Sequence, residues 1–363
     1  MSNIFDYLKW RGDLSFSQDA FNNIDAMILS RLSYLPFEDV VPQNFFHSVT
    51  LDFAGLAFSP RESRDEILWK QDPPLLKAAA KSARFKNTRL SGYVNSLDNN
   101  SKMQFAAIVF DLENGTRFIA FRGTDLSFAG WQEDFNMFTA LTLPSQLRAL
   151  KYFEQAAQNT TGRFMLGGHS KGGNLALYSA MNCVQSIQDK IDAVYNFDGP
   201  GFHREIIVCE QFERVKDRVH SFVPQSSVFG MMLEHDEDFS IVKSTNKSIM
   251  QHDVYSWQVE ANDFVYLDRR TNSSYFLTHT LDDFLEKMSD DEKEKFIQAF
   301  FTVVESTDNT SFQGFPKTPF SSSASMLRAI KRLGKDKRGA LRKAVLKALS
   351  SAKGNISDIM PNK

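Results

Sequence analysis

The sequence predicts an α/β fold, with a mixed, mainly parallel central sheet and helices on both faces. Three observations predict it. At mid-chain, Arg163–Leu166 reads as a short buried strand, Gly167–Gly173 as a tight turn, and Leu175, Ala176, Leu177, Ala180 and Met181 as a helical pattern. Upstream, Phe105–Phe110 and Arg117–Phe121 are runs of strand formers separated by Asp111, Asn114 and Gly115, which is hairpin-turn chemistry. Downstream, Ile191–Phe197 and Arg218–Val223 read as further strands, completing the alternation that builds a parallel sheet covered on both faces.

In chain order, Phe21, Ile24, Ile28, Leu29 and Leu32 fall at helical spacing within residues 18–35, which end before Pro36. Residues 36–60, rich in Phe and Pro without a period, read as irregular. Pro73 and Pro74 suit a helix start, and Leu75, Leu76, Ala79 and Ala80 carry that helix to about Phe85. The hairpin follows as an antiparallel lead-in to the sheet, and residues 145–158 form a helix through Leu147, Leu150, Tyr152 and Phe153. Beyond the two downstream strands, Phe239–Val242 and Val254–Val259 read as strands on either side of Gln251-His252-Asp253. Ser289-Asp290-Asp291-Glu292 reads as a capping box opening a helix through Phe296, Ile297, Phe300 and Phe301.

Composition bounds the function. With 363 residues, 42% hydrophobic, the chain can bury a sizeable core. A net charge of -2 makes no global case for nucleic acid. Two cysteines, Cys183 and Cys209, do not make a disulfide framework and read as free thiols. Met1–Trp10 lacks a basic segment followed by a long apolar core, and no later stretch has the length of a membrane span. A soluble cytoplasmic protein is expected, with neither metal nor cofactor.

Within the central turn, Gly168, Ser170 and Gly172 match Gly-x-Ser-x-Gly, the nucleophile elbow, in which a strained turn lifts a serine hydroxyl above the sheet. Glycines are needed two residues on either side because side chains there would meet the neighbouring strand and helix. A serine nucleophile needs a base, an acid to orient the base, and oxyanion donors. His252 is the candidate base, in the run His252, Asp253, Tyr255, Trp257, whereas His169 is too near Ser170 in the turn and reads as support for the elbow. Asp198 ends a strand after the nucleophile, in the order serine, acid, histidine; Glu234, Asp236 and Asp238 are its competitors. The backbone N–H of Lys171 supplies one oxyanion donor and Thr124, after the lead-in strand, the second. Leu126, Phe128, Ala129 and Trp131 read as a lid or as core.

Phe121-Arg122-Gly123-Thr124, Gly130-Trp131 and Asp134-Phe135, together with Gly168-His169-Ser170-Lys171-Gly172-Gly173, resemble the paired signature of the class 3 (fungal-type) triacylglycerol lipases. The run His252–Trp257 is similar to that family's catalytic-histidine segment. Asn196-Phe197-Asp198-Gly199-Pro200-Gly201-Phe202, Pro224-Gln225-Ser226-Ser227 and Leu233-Glu234-His235 resemble more closely a family of uncharacterised, lipase-like bacterial α/β hydrolases. The resemblance covers about residues 20–290 and implies the α/β-hydrolase fold, Ser170 as nucleophile, His252 as base and Thr124 as oxyanion residue. The chain departs from class 3 lipases in two places. Lys171 stands where those lipases usually carry an apolar residue, implying a more polar site rim, and Ser226 and Ser227 stand where they commonly carry the acid. Asp198 instead resembles the acid segment of pancreatic-type lipases.

The expected organisation is an α/β-hydrolase domain with an N-terminal helical addition over residues 1–306, a linker over 307–325 and a basic amphipathic tail over 326–363. Residues 321–363 carry eleven Lys and Arg against two Asp, a local charge of +9, with an apolar stripe through Met326, Leu327, Ile330, Leu333, Leu341, Val345, Leu346 and Leu349. Such a segment suits an anionic membrane surface, or a partner groove or nucleic acid. The expected function is hydrolysis of carboxylic esters of acyl lipids. The alternative is a non-catalytic lipid- or partner-binding protein on the same scaffold.

Overall fold

A computed structural model describes residues 2–59, 67, 69–98, 103–124, 133–158, 162–289, 291–293, 295–296, 339, 342–344, 346–347 and 350–351. The chain forms two compact units: Met1–Leu97, Phe105–Gly123 and Pro144–Arg270 make the first, and Asp98–Gln104, Thr124–Leu143 and Thr271–Lys363 the second.

The first unit is a mixed α/β structure around a nine-stranded sheet. Its strands, in spatial order, are β1 (Val49–Thr50), β2 (Arg89–Asp98), β3 (Met103–Asp111), β4 (Arg117–Phe121), β5 (Phe164–His169), β6 (Ile191–Phe197), β7 (Val219–Pro224), β8 (Phe239–Val242) and β11 (Tyr266–Leu267). Strands β4 to β8 run parallel, β3 is antiparallel to β4, and β11 to β8. Two further short strands, β9 (Val259–Glu260) and β10 (Asp263–Phe264), pair with each other. Register brings the carboxyl ends of the parallel strands together: Phe121 lies opposite Gly168, His169 opposite Phe197, and Phe197 opposite Phe222. Loops leaving these strands converge there, where parallel sheets hold their ligands.

Among the described residues, six helices of seven residues or more accompany the sheet: α1 (Ile4–Arg11), α2 (Asn23–Leu32), α3 (Leu51–Ala57), α4 (Asp72–Lys81), α5 (Pro144–Gln158) and α6 (Lys171–Asn182). Asn22 starts α2 five residues later than the periodicity suggests, because its side chain accepts the Ile24 and Asp25 N–H groups while Asp25 bonds back to the Asn22 N–H. Several elements escape the sequence reading, among them α1, α3, β2 and the helix Asn272–Glu286. α1 is capped by Asn3 in the same reciprocal way. α3 lies in the stretch read as irregular; it buries Leu51 and Ala54, and Gly55 lies so close to Ala80 that a Cβ there would meet the Ala80 methyl at 2.5 Å. β2 carries Gly92 at φ 63, with Phe45 filling the space a side chain would take. Each depends on packing against distant residues, which local periodicity does not record. Conversely, Val254–Val259 is not one strand: the Asp253 carboxylate accepts the Tyr255 N–H and bends Val254–Ser256 into a 3-10 turn, leaving only β9.

In the second unit, α7 (Asn272–Glu286) is capped by Thr271. The capping box is present, with the Ser289 N–H bonded to Glu292 Oε2 and the Glu292 N–H to Ser289 Oγ. From the tail, Ala344 is buried with Phe284 and Met288, and Lys347 bonds Glu292 Oε2 at 2.7 Å. Trp131 and the rest of the expected lid, the linker 307–325 and most of the tail lie outside the described residues.

Candidate active site

Ser170 lies between β5 and α6, at φ 59 and ψ -136, a backbone region that non-glycine residues enter only under constraint. The constraint is the close approach of three main-chain segments. A Cβ on Gly168 would run into the Gly172 carbonyl and lie 2.6 Å from the Phe121 oxygen, and a Cβ on Gly172 would collide with that same oxygen. Both glycines therefore let β4, β5 and α6 meet beneath the serine. The Ser170 N–H donates to Phe197 O at 2.9 Å, which ties the turn to the end of β6.

The turn after β6 is strapped to α6. Asn174 Nδ2 donates to the carbonyls of Pro200 and Gly201 at 3.1 and 2.8 Å, and Gln146 Nε2 of α5 holds Asn174 Oδ1 at 2.8 Å. Asn196 Oδ1 accepts the Gly199 N–H at 2.9 Å. Between these fixed points stands Asp198, 1% exposed and at φ 53. Its Oδ2 lies 2.7 Å from His252 Nδ1, while its Oδ1 accepts the Ser227 hydroxyl at 2.5 Å and the Gly230 N–H at 3.2 Å. Of the candidate acids, Asp198 is thus the one against His252: Asp236 is paired with Lys216 at 2.6 Å, and the Glu234 main chain is bridged to Phe202. Ser227, in the turn after β7, thus supports Asp198.

His252 ends a 3-10 turn, Ser248–His252, with its side chain 18% exposed. The residues after it bury the loop: Tyr255 Oη donates to Asp72 Oδ1, and Trp257, fully buried, donates its indole N–H to Gln251 O at 2.8 Å. Gln251 Oε1 in turn accepts the Ser226 N–H at 2.7 Å. The rings of His169 and Phe229 lie 4.4 and 4.6 Å from the His252 ring.

The described surroundings of the remaining candidates are different. Lys171 is 1% exposed and opens α6, where first-turn N–H groups point out of the helix. Its side chain is therefore buried, and the polar rim expected of it is corrected. Thr124, in the second unit, donates its hydroxyl to Asp134 Oδ2 at 2.6 Å. Gly123, immediately before it, approaches the Tyr34 hydroxyl and the His169 carbonyl so closely that no Cβ would fit.

Sequence reasoning missed the polar support around these residues: Ser227, Gln251, Asn174 and Gln146, and behind His169 a buried set of Arg31, Asp72 and Tyr34. Arg31 Nη2 lies 2.7 and 2.8 Å from the two Asp72 oxygens, and its guanidinium stacks 3.9 Å over the Tyr34 ring. Burial works against the Arg31 charge, but the Asp72 carboxylate, Tyr255 and Tyr34 together offset it and hold the guanidinium above its ordinary value. Arg31 and Tyr34 sit within the predicted helical run, where nothing local separates a buried arginine from a solvated one.

The family model for Mbeg1-like proteins matches residues 79–302, which include β3 to β8, the Ser170 turn, Asp198 and His252. No curated protein matches the chain. Since that match extends over more than half of the 363 residues, the chain belongs to the Mbeg1-like family, a lipase-like family.

Proposed function

We propose that this protein is a serine hydrolase of carboxylic esters, with acyl lipids as its substrate class, on an α/β-hydrolase fold. The reading is supported by family membership and by the parallel sheet. It is carried by one observation: His252 Nδ1 is 2.7 Å from a buried Asp198 beside a serine at φ 59 on a strand-to-helix turn. Asp198 accepts a hydrogen bond from the Nδ1–H, which keeps the proton there and leaves His252 Nε2 as the basic nitrogen. That nitrogen removes the Ser170 proton as Oγ attacks the ester carbonyl. The Lys171 N–H takes the oxyanion in this reading. His252 then protonates the leaving alcohol, and water activated by the same nitrogen releases the acyl group. Peripheral contact of the basic tail with anionic lipid belongs to the same proposal.

The test is a panel of esters of graded acyl length. Hydrolysis is expected to increase with acyl length and to disappear in Ser170→Ala, apart from the small rate that binding and oxyanion contacts give alone. Binding of acyl ligands without hydrolysis of any ester would favour a non-catalytic lipid-binding role instead.

A further inference from the structure

His169 is buried at 2% exposure and none of the steps above uses it. Its Nε2 is 2.8 Å from the His252 carbonyl oxygen. A carbonyl oxygen only accepts, so Nε2 carries the proton. Its Nδ1 is 3.5 Å from Arg31 Nη1 and 3.0 Å from the Tyr34 hydroxyl. A guanidinium only donates, so Nδ1 is bare. The Tyr34 hydroxyl, which also reaches the His169 carbonyl oxygen at 3.1 Å, can donate or accept and selects neither form; the His252 carbonyl and the Arg31 guanidinium together select one neutral tautomer. A proton on Nδ1 would face Arg31, which cannot turn away because Asp72 binds it and Tyr34 stacks on it. The groups facing this ring are thus Arg31 and Tyr34 from α2 and its following turn, and His252 from the loop before β9. Asp72 from α4 and Tyr255 lie behind Arg31.

The hydrogen bond also has a geometric consequence. His169 is the last residue of β5 and is covalently joined to Ser170, while its acceptor is the main chain of His252 itself. One side chain thereby spans from the elbow to the base loop, across 83 residues of sequence. The two rings also pack together at 4.4 Å with an interplanar angle of 37°.

We infer that His169 is a positioning residue: as a permanently neutral Nε2–H tautomer it fixes the His252 loop to the Ser170 turn and so sets the distance over which the proton is transferred. This rests on the reading of His252 as the base. Burial, followed by the neighbouring His252 and Arg31, holds His169 well below the ordinary histidine value, which agrees with the tautomer deduced from its partners.

Two variants separate the parts of this role. His169→Phe keeps a flat ring and loses the donor; His169→Gln places an amide N–H near the old Nε2 position and cannot titrate. His169→Phe is expected to lower kcat by about 10- to 100-fold with KM little changed, as misplacement of a catalytic group by about 1 Å does. His169→Gln should recover a large part of that loss. An independent readout is the ring-nitrogen NMR spectrum of the unmutated protein. One histidine, assigned by its loss in His169→Gln, should keep the Nε2–H pattern across about pH 5 to 8, where ordinary histidines titrate. That spectrum reports on the tautomer whether or not any ester is hydrolysed, so it fails separately from the enzymatic reading. Titration of His169 in this window, full kcat in folded His169→Phe, or equal losses in the two variants would overturn the inference.

Discussion

At Asp198 a single carboxylate satisfies three donors, and their directions decide its role. Ser227 and Gly230 occupy Oδ1, leaving Oδ2 for His252 alone. An amide in its place would present an N–H to one of these donors or to His252 and favour the wrong imidazole tautomer. Asp198→Asn is therefore expected to lower kcat by roughly 10³- to 10⁴-fold, measured by steady-state ester hydrolysis, with the fold retained. A nearly silent Asp198→Asn beside a crippling Glu234→Gln or Asp236→Asn would reassign the acid. Sequence alone left this choice between templates, because the deciding contacts join residues 29, 32 and 54 positions apart. Ser170 was easier to read, since its requirement is local: two glycines within two residues, each forced by main chain rather than by side chain. The Arg31–Asp72–Tyr34 support was illegible for the opposite reason, being distributed over three segments that only folding brings together.

Among elements, the junction of β4, β5 and α6 leaves no room for a side chain at either of its glycines. Gly172 meets the Phe121 carbonyl oxygen, which is held in the β3–β4 pairing and cannot swing aside as a side chain would. Gly172→Ala should destabilise the protein by about 1–3 kcal/mol, the range for overpacking, and shift the Ser170 turn. Thermal unfolding would record the first effect and loss of ester hydrolysis in the folded fraction the second; an unchanged melting temperature with full activity would contradict so tight a junction. The strand-turn-helix was legible because helix and strand patterns abut within twenty residues. By contrast α3 was hidden: its seven residues include a glycine and two exposed apolar side chains, Phe53 and Leu56, so its pattern misreports its buried face. β2 was hidden by Gly92, which reads as a breaker until Phe45 is seen to fill the space above it.

At the scale of the whole molecule, no helix among the described residues is long and apolar enough to cross a membrane. The basic tail is the proposed contact, but not all of its cations are free: Lys347 lies against Glu292 and Ala344 packs with Phe284 and Met288, while Lys343, Leu346 and Arg342 are exposed. The full chain is expected to sediment with vesicles containing anionic phosphatidylserine, more weakly as salt rises, and a chain ending at residue 320 to remain in solution. Equal sedimentation of the two would remove the tail from the proposal.

The central claim, that Ser170 is an activated nucleophile, is tested most directly by labelling the purified full chain with a fluorophosphonate, which reacts with serines that a neighbouring base has activated. A working Ser170–His252–Asp198 arrangement gives one covalent adduct, on Ser170, abolished in Ser170→Ala and strongly slowed in His252→Ala. A folded protein that takes no label, or an adduct that survives Ser170→Ala, would contradict it.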